Sequence, residues 1–294
     1  MYNDEVIKLQ EERLELSLKL VAIDLDFTLL RDDKSYDVER FEKVVKELIN
    51  KGVTFVIASG NKNPKIRSYF SNNLLKEVYV AGCNGNDVEL DGKHIHTNYF
   101  SREALFEIAE LVDSDDDLQM VLDTANASYS KYIYEEDKDY ISIYYKDTII
   151  IDSYEDLPAD EEPIKTAILS SKPLDETKQI VNRIVNDIEG VTAVTSGGGW
   201  LDAYHEDGGK GSAIEWLQKT KNIKIDETIA FGDSLNDSSM MPYAKYSVAM
   251  KNGDDDFKSY CDYEIGTNEE QSVIEVLETY LVTDNLDFME QHKK

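Results

Sequence analysis

Apolar runs alternate with amphipathic stretches along this chain. "KLVAI", ending at Ile23, is followed by helical spacing from Val38 to Asn50, then by "VTFVIA", another helical stretch, and "VYVA" ending at Ala81. Short apolar runs predict buried strands and the amphipathic stretches between them predict helices, which is the βαβ rhythm of a parallel sheet. The rhythm changes between about Asn86 and Asp207. There "DVELDGKHIHTNYF" alternates around an Asp-Gly pair and predicts a hairpin. A helix is expected from Arg102 to Val112, strands at "YISIYY" and "TIIID", a helix from Asp175 to Ile188, and two closing strands. From Gly208 the first rhythm returns, with a helix near Ser212 to Lys219, the strand "TIAFGD", a helix from Asp237 and the strand "YSVAM". One domain is therefore predicted to be inserted into another. The charged opening segment, residues 1 to about 17, reads as an extra helix or arm.

Composition narrows the class. The chain has 294 residues, 41% of them hydrophobic, and none of its apolar runs approaches the roughly 18 residues that a membrane span needs. The first twenty residues mix charges throughout and lack the apolar stretch of a secretory signal, so a cytoplasmic location is expected. Cys83 and Cys261 are the only cysteines and are expected to be buried small hydrophobes. Sixty acidic residues against 31 basic ones give a formal charge of -29. That charge repels nucleic acid and anionic membrane surfaces, so neither is an expected partner. A small anionic substrate remains compatible, because a metal ion or a few local cations can outweigh a diffuse field. Nothing in the pattern specifies an oligomeric state.

The candidate chemistry starts at "LVAIDLDFTLL", where a buried strand runs into Asp24 and Asp26. Two like charges at the end of an apolar run are costly unless something bound neutralises them. The same spacing occurs at Asp113/Asp115, Asp115/Asp117, Asp137/Asp139 and Asp254/Asp256, but in polar surroundings that predict solvated loops and helix starts. A second apolar strand behaves like the first: "TIAFGDSLND" runs into Gly232 and Asp233, with Asp237 four residues later. Open parallel sheets bind ligands at the carboxyl ends of their strands, so both acidic groups are expected at one edge. Such a crowd requires a cation, and an oxygen-only ligand set suits Mg²⁺ better than zinc. A carboxylate there can attack phosphorus and form an aspartyl-phosphate. A second carboxyl can protonate the leaving oxygen and later deprotonate the attacking water. Asp24 is expected to attack and Asp26 to move the proton. Donors for the phosphoryl group are offered by Ser59 and Gly60 in "IASGN" and by Lys210 in "GGKGSAIEWL".

Taken in order, "DLDFT", the serine of "IASGN", the lysine of "GGKG" and "GDSLND" resemble the four motifs of the haloacid dehalogenase superfamily of phosphatases. The insert that begins after "CNGN" resembles the α/β cap of the Cof-type branch, and "FVIASGN" with "VTSGGGWLDAY" is similar to bacterial sugar phosphatases. The resemblance implies an α/β fold: a Rossmann-like parallel-sheet core from residues 1–85 and 208–294, with a type C2B cap from residues 86–207 that selects the substrate. It implies that Asp24 is the nucleophile and Asp26 the acid/base. Mg²⁺ would be held by Asp24, the Asp26 main-chain carbonyl and Asp233. Ser59, Gly60 and Lys210 would bind the phosphoryl group, Asn236 and Asp237 would orient water and Lys210, and Asn61 and Asn84 would support the site. The implied substrate is a small phosphorylated metabolite, in particular a sugar phosphate.

Several positions depart from the pattern or stand outside it. Phe27 replaces the glycine of many relatives, Asn61 replaces an arginine, and Asn86 a small residue. A phosphomutase or phosphotransferase would use the same core, and a non-catalytic sugar-phosphate sensor is the alternative of another class. Asp26 argues against dehalogenation, since a halide leaves without a proton. His94 and His96 alternate on the predicted hairpin without an evident third metal ligand and read as an exposed strand face. Gly197 to Gly199 reads as a turn, His205 as structural, and Tyr129 to Tyr145 as strand packing. Gly85 and Gly208-Gly209 mark the two crossings of the insert and suggest a hinge.

Overall fold

The computed structural model describes residues 18–294, so the predicted opening arm lies outside the described residues. The described chain divides into two compact units. One comprises the stretch ending at Ala58 together with Phe70–Tyr79 and Ile214–Lys294; the other comprises Ser59–Tyr69 and Val80–Ala213.

The first unit is built on a parallel sheet. Its strands lie in the order Tyr263–Ile265, Tyr246–Met250, Thr228–Gly232, Leu20–Asp24, Thr54–Ala58, and every adjacent pair is parallel. Leu20–Asp24 is central and all five of its residues are buried. That is why it reads as a continuous apolar run with no alternation. The register sets Asp24 opposite Ala58, and Ile23 opposite Phe231, so the acidic ends of the central strands lie at one edge. The helix Val38–Asn50 covers the sheet with Phe41, Val44, Val45 and Leu48, an apolar stripe of helical period, and the Asp37 side chain caps its first turn. Arg40 on this helix forks onto Glu278 of the helix Ser272–Thr283, with Nε and Nη2 at 3.0 and 2.6 Å from the two carboxylate oxygens.

The second unit contains a six-stranded sheet in the order Val191–Gly197, Trp200–His205, Lys165–Ser170, Leu118–Asp123, Ser128–Ser130, Ile149–Ile150, antiparallel except for the last pair. One face packs on two helices, Arg102–Asp113 and Leu174–Asp187; Leu118, Met120, Leu122, Ile168, Leu201 and Ala203 point that way. The alternate residues face the other side, where Val121, Ala167, Leu169 and Trp200 meet Tyr140, Ile141 and Tyr145. The predicted hairpin is present, Asp87–Leu90 with Lys93–Thr97, and its Asp91 and Gly92 both have positive φ, the left-handed pair that a tight hairpin turn demands.

Two expectations fail here. "YISIYY" is not a strand: Lys138–Ser142 is a short helix followed by turns. Tyr140 and Tyr144, four residues apart, both lie against Trp200, at 6.0 and 6.2 Å between ring centroids, a contact that one helical turn of about 6 Å permits and an extended strand, which would set them about 13 Å apart, does not. "TIIID" contributes only the two-residue strand Ile149–Ile150. The second failure concerns Asp237. It lies in a run of 3₁₀ turns, Leu235–Tyr243, where an α-helix was expected; Pro242 within this run has no N–H for a helical ladder.

Candidate active site

Asp24 ends the central strand, Asp233 directly follows Gly232, and Asp237 is four residues further on. Each offers an oxygen, and these three oxygens all lie within 4.8 Å of one another. Asp24 and Asp237 are buried and Asp233 is half-buried. Local structure fixes the cluster. One carboxylate oxygen of Asp237 accepts from the backbone N–H groups of Asp233 (2.9 Å) and Ser234 (3.1 Å), and Thr28 Oγ1 donates to Asp233 at 3.3 Å. Gly232 is required for this packing, since a Cβ there would lie 2.7 Å from the Asp237 carboxylate oxygen. Gly253 admits the Asp233 backbone in the same way, and the Asp254 N–H donates to the Asp233 carbonyl at 2.8 Å. Ser234 Oγ donates to Asn236 Oδ1 at 2.7 Å. Three carboxylates gathered this closely suit a bound cation. A set of oxygen donors without His or Cys fits a hard divalent ion such as Mg²⁺.

The Asp26 carboxylate is not in that group. It pairs with Lys34 Nζ at 2.8 Å, and the same ammonium lies 4.5 Å from the centroid of the Phe27 ring. Sequence reasoning missed Lys34, whose only signal is its place in the polar turn just after the motif. Phe27 itself has φ of 60°, the left-handed region that favours glycine.

Ser59, Gly60, Asn61, Asn84 and Lys210 all belong to the second unit. The loop Ser59–Asn61 is laced to the turn Gly82–Gly85: Ser59 N donates to Ala81 O (3.0 Å), Cys83 N to Asn61 O (2.8 Å) and Asn84 N to Ser59 O (2.9 Å). Cys83 and Asn84 take left-handed backbone conformations to reach these partners. Ser59 Oγ accepts from both Asn61 N and Asn61 Nδ2, each at 3.2 Å. Lys210 is almost wholly buried and opens the helix Lys210–Lys221. Gly85 and Gly209 touch: a Cβ on Gly85 would lie 2.6 Å from Gly209 O and 2.8 Å from Lys210 Cα.

The same unit holds a buried polar cluster with no sequence motif. Lys165 Nζ lies 2.8 Å from Gly60 O, 3.0 Å from Tyr145 Oη, 3.3 Å from Asp202 and 3.6 Å from Asp123. Lys62 Nζ donates to Ala127 O at 2.6 Å and stands 3.8 Å from Asp123, while Asn84 Nδ2 donates to Asp202 at 2.8 Å. Burial works against the charge of Lys165, but Asp202, Tyr145 and Asp123 outweigh it and hold its pKa well above the usual lysine value. Burial first, then the nearby Asp123, pushes the Cys83 thiol well above its ordinary range, which removes it as a nucleophile. Both cysteines are free and buried, as expected.

His94 lies exposed on a strand as expected, but the expectation that it has no further ligand nearby is corrected. His94, Asp87 and Glu89 form a second group with ligand atoms within 4.8 Å of one another. The hairpin register sets Glu89 opposite His94, and an irregularity between Val88 and Glu89 brings Asp87 Oδ1 to 2.7 Å from His94 Nδ1. Arg67 pairs with Glu89, and Asn63 and Thr97 donate to Asp87. These partners tie the group into one hydrogen-bond network.

The family model of haloacid dehalogenase-like hydrolases matches residues 21–277. The chain belongs to that family. Among curated relatives it is 27% identical over 268 residues to the 5-amino-6-(5-phospho-D-ribitylamino)uracil phosphatase YbjI of Escherichia coli, covering 90% of this chain and 97% of that protein. It is 26% identical over 287 residues to the phosphatase YwpJ of Bacillus subtilis, covering 90% of this chain and all of YwpJ. A crystal structure from Streptococcus mutans superposes with a TM-score of 0.83 at 28% identity, over 90% of this chain and 100% of that one. This haloacid dehalogenase-like protein is thus an enzyme, a phosphatase of the branch its motifs resemble, and its fold is the mixed α/β fold of the family. Among the described residues no helix is long and apolar enough to cross a membrane.

Proposed function

We infer that this phosphatase is Mg²⁺-dependent and hydrolyses phosphate monoesters of small metabolites, sugar or sugar-alcohol phosphates first among them. The observation that carries the reading is the convergence of Asp24, Asp233 and Asp237 at the carboxyl edge of a parallel sheet. Asp24 and Asp233, with the main-chain carbonyl of Asp26, would hold the ion, and Asp237 fixes the backbone of Asp233 beneath them. When bound, Mg²⁺ would offset the negative charge of the phosphoryl oxygens and so permit a carboxylate to approach.

In this reading the Asp24 carboxylate attacks phosphorus as the ester P–O bond breaks, and Asp26 gives a proton to the departing alkoxide. Water then attacks the aspartyl-phosphate, Asp26 takes the proton back, and Asp24 and inorganic phosphate are released. Lys34, now on Asp26, stands where it can steady that carboxylate between the two proton transfers. The family motifs assign Ser59, Gly60 and Lys210 to the phosphoryl oxygens, and residues 86–207 to substrate choice.

The similarity to YbjI, a 5-amino-6-(5-phospho-D-ribitylamino)uracil phosphatase, supports starting with phosphorylated polyols that carry a planar ring. The test is a hydrolysis screen of sugar phosphates, phosphoribityl compounds and mononucleotides, with and without Mg²⁺. Activity that persists in chelator, or in Asp24→Asn, overturns the mechanism. A flat profile across all esters overturns the substrate class.

A further inference from the structure

Three consecutive carbonyls in the Ser59–Asn61 loop are gripped from outside it. Ser59 O and Asn61 O accept from the backbone N–H groups of Asn84 and Cys83, at 2.9 and 2.8 Å. The middle one, Gly60 O, accepts from a side chain, the ammonium of Lys165, at 2.8 Å. Lys165 comes from a strand more than a hundred residues away in sequence and is 2% exposed. The ammonium donates to Gly60 O and to Tyr145 Oη at 3.0 Å, and the carboxylates of Asp202 and Asp123 stand 3.3 and 3.6 Å away, so these neighbours hold it and fix its direction.

The consequence passes through one peptide plane. The Gly60–Asn61 bond is trans, and in a trans peptide the C=O and N–H point in opposite directions. Fixing Gly60 O on Lys165 therefore aims the Asn61 N–H the other way, and there it meets Ser59 Oγ at 3.2 Å. Asn61 Nδ2 donates to the same oxygen at 3.2 Å. A hydroxyl oxygen has two acceptor sites. With both filled by Asn61, the hydroxyl hydrogen is what Ser59 still offers to an incoming acceptor.

We propose that Lys165 is a positioning residue of the phosphoryl-binding loop: by holding the Gly60 carbonyl it turns the Gly60–Asn61 peptide so that Ser59 presents its O–H to a phosphoryl oxygen. The proposal rests on the phosphatase reading for the identity of that acceptor, but the loop geometry can be tested apart from it. Removing Lys165 alone leaves Asp202 and Asp123 buried without it, so the informative variant is Lys165→Met combined with Asp202→Asn, with Asp202→Asn alone as its control.

Two measurements on the full chain suffice. The first is amide hydrogen exchange of the ¹⁵N-labelled protein. In the double variant the Asn61 amide should exchange about tenfold faster than in the control, the scale of one lost hydrogen bond, while amides of the strand Leu20–Asp24 keep their rates. Unchanged Asn61 exchange in the folded double variant overturns the proposal whether or not the protein is a phosphatase. The second is calorimetric binding of inorganic phosphate with Mg²⁺, alongside kcat and KM for p-nitrophenyl phosphate. The phosphate Kd and the KM should each rise about tenfold relative to the control, with kcat falling by less. A merely structural lysine would lower the melting temperature and leave Kd and KM unmoved, and that result also overturns it. If the unaltered protein binds phosphate yet hydrolyses no ester, the phosphatase reading fails while the exchange and binding arms still decide the role of Lys165.

Discussion

Asp123 and Asp202 lie in a six-stranded sheet with Lys165 beside both and Lys62 beside the first, so their counter-charge belongs to the same unit of structure. Asp24, Asp233 and Asp237 gather at the end of a parallel sheet, where Asp237 and Asp233 accept from backbone N–H groups and a threonine hydroxyl. Both groups are largely buried, yet they are arranged for different ends. In the first, opposite charges interleave and every carboxylate faces an ammonium; the arrangement stiffens a loop and a sheet. In the second, three carboxylates bring oxygens within 4.8 Å of one another, a donor set that would suit a divalent ion. Acidity and burial alone do not distinguish a site from a scaffold; the convergence of the ligand atoms does.

The sharpest way to break this comparison is Asp24→Asn. The amide keeps the shape of the carboxylate but cannot attack, so kcat should fall by roughly 10⁴ or more while the melting curve stays close to that of the unaltered protein. Lys165→Met should act on stability first, with a rise in KM of about tenfold and a smaller fall in kcat. It strands two buried carboxylates, and chemical denaturation should report a loss of about 3–5 kcal/mol. A stable Lys165→Met protein would mean that the lysine is not the counter-charge described above. Asp233→Ala comes next. It should raise the Mg²⁺ concentration for half-maximal activity by about 10–100-fold, the range for disturbing a metal's surroundings, with little change in unfolding free energy; an unaltered Mg²⁺ titration would remove Asp233 from the metal set. The smallest effect belongs to Phe27→Gly. Relieving a left-handed non-glycine residue should add about 1 kcal/mol of stability, read as a small rise in melting temperature, and a fall would show that the ring's contact with Lys34 outweighs the backbone strain.

How much of this was legible in the sequence depends on how far apart the cooperating residues are. Asp24, Asp26 and Asp233 stood out because each follows an apolar strand directly, and strand ends of a parallel sheet share an edge. The Val38–Asn50 helix and the Asp91-Gly92 hairpin were equally readable, being set by local spacing and turn chemistry. Lys165, Asp123 and Asp202 were not. They come from separate strands, and only the sheet register, which pairs Asp123 with Lys165 and Asp202 with Ala167, makes them neighbours. His94 was misjudged for the same reason, because the hairpin irregularity that brings Asp87 to it has no signal in composition. "YISIYY" misled by its β-favouring residues; Trp200, some sixty residues later, gives the Tyr140–Tyr144 helical turn its packing partner and overrides propensity.

The contact between Gly85 and Gly209 also bears on how such a protein can diversify. More than a hundred residues leave and return through two backbone positions so close that Gly85 cannot accept even a methyl group beside Gly209. For the chain on either side, the excursion is equivalent to a very short loop whatever its length, and lengthening a loop adds closure entropy only slowly. Segments of different size and shape can therefore be exchanged at this neck by recombination without moving its two ends. Ser59 and Lys210 lie outside the exchanged segment whereas Lys165 lies inside it, so a new segment has to supply its own hold on the Gly60 carbonyl.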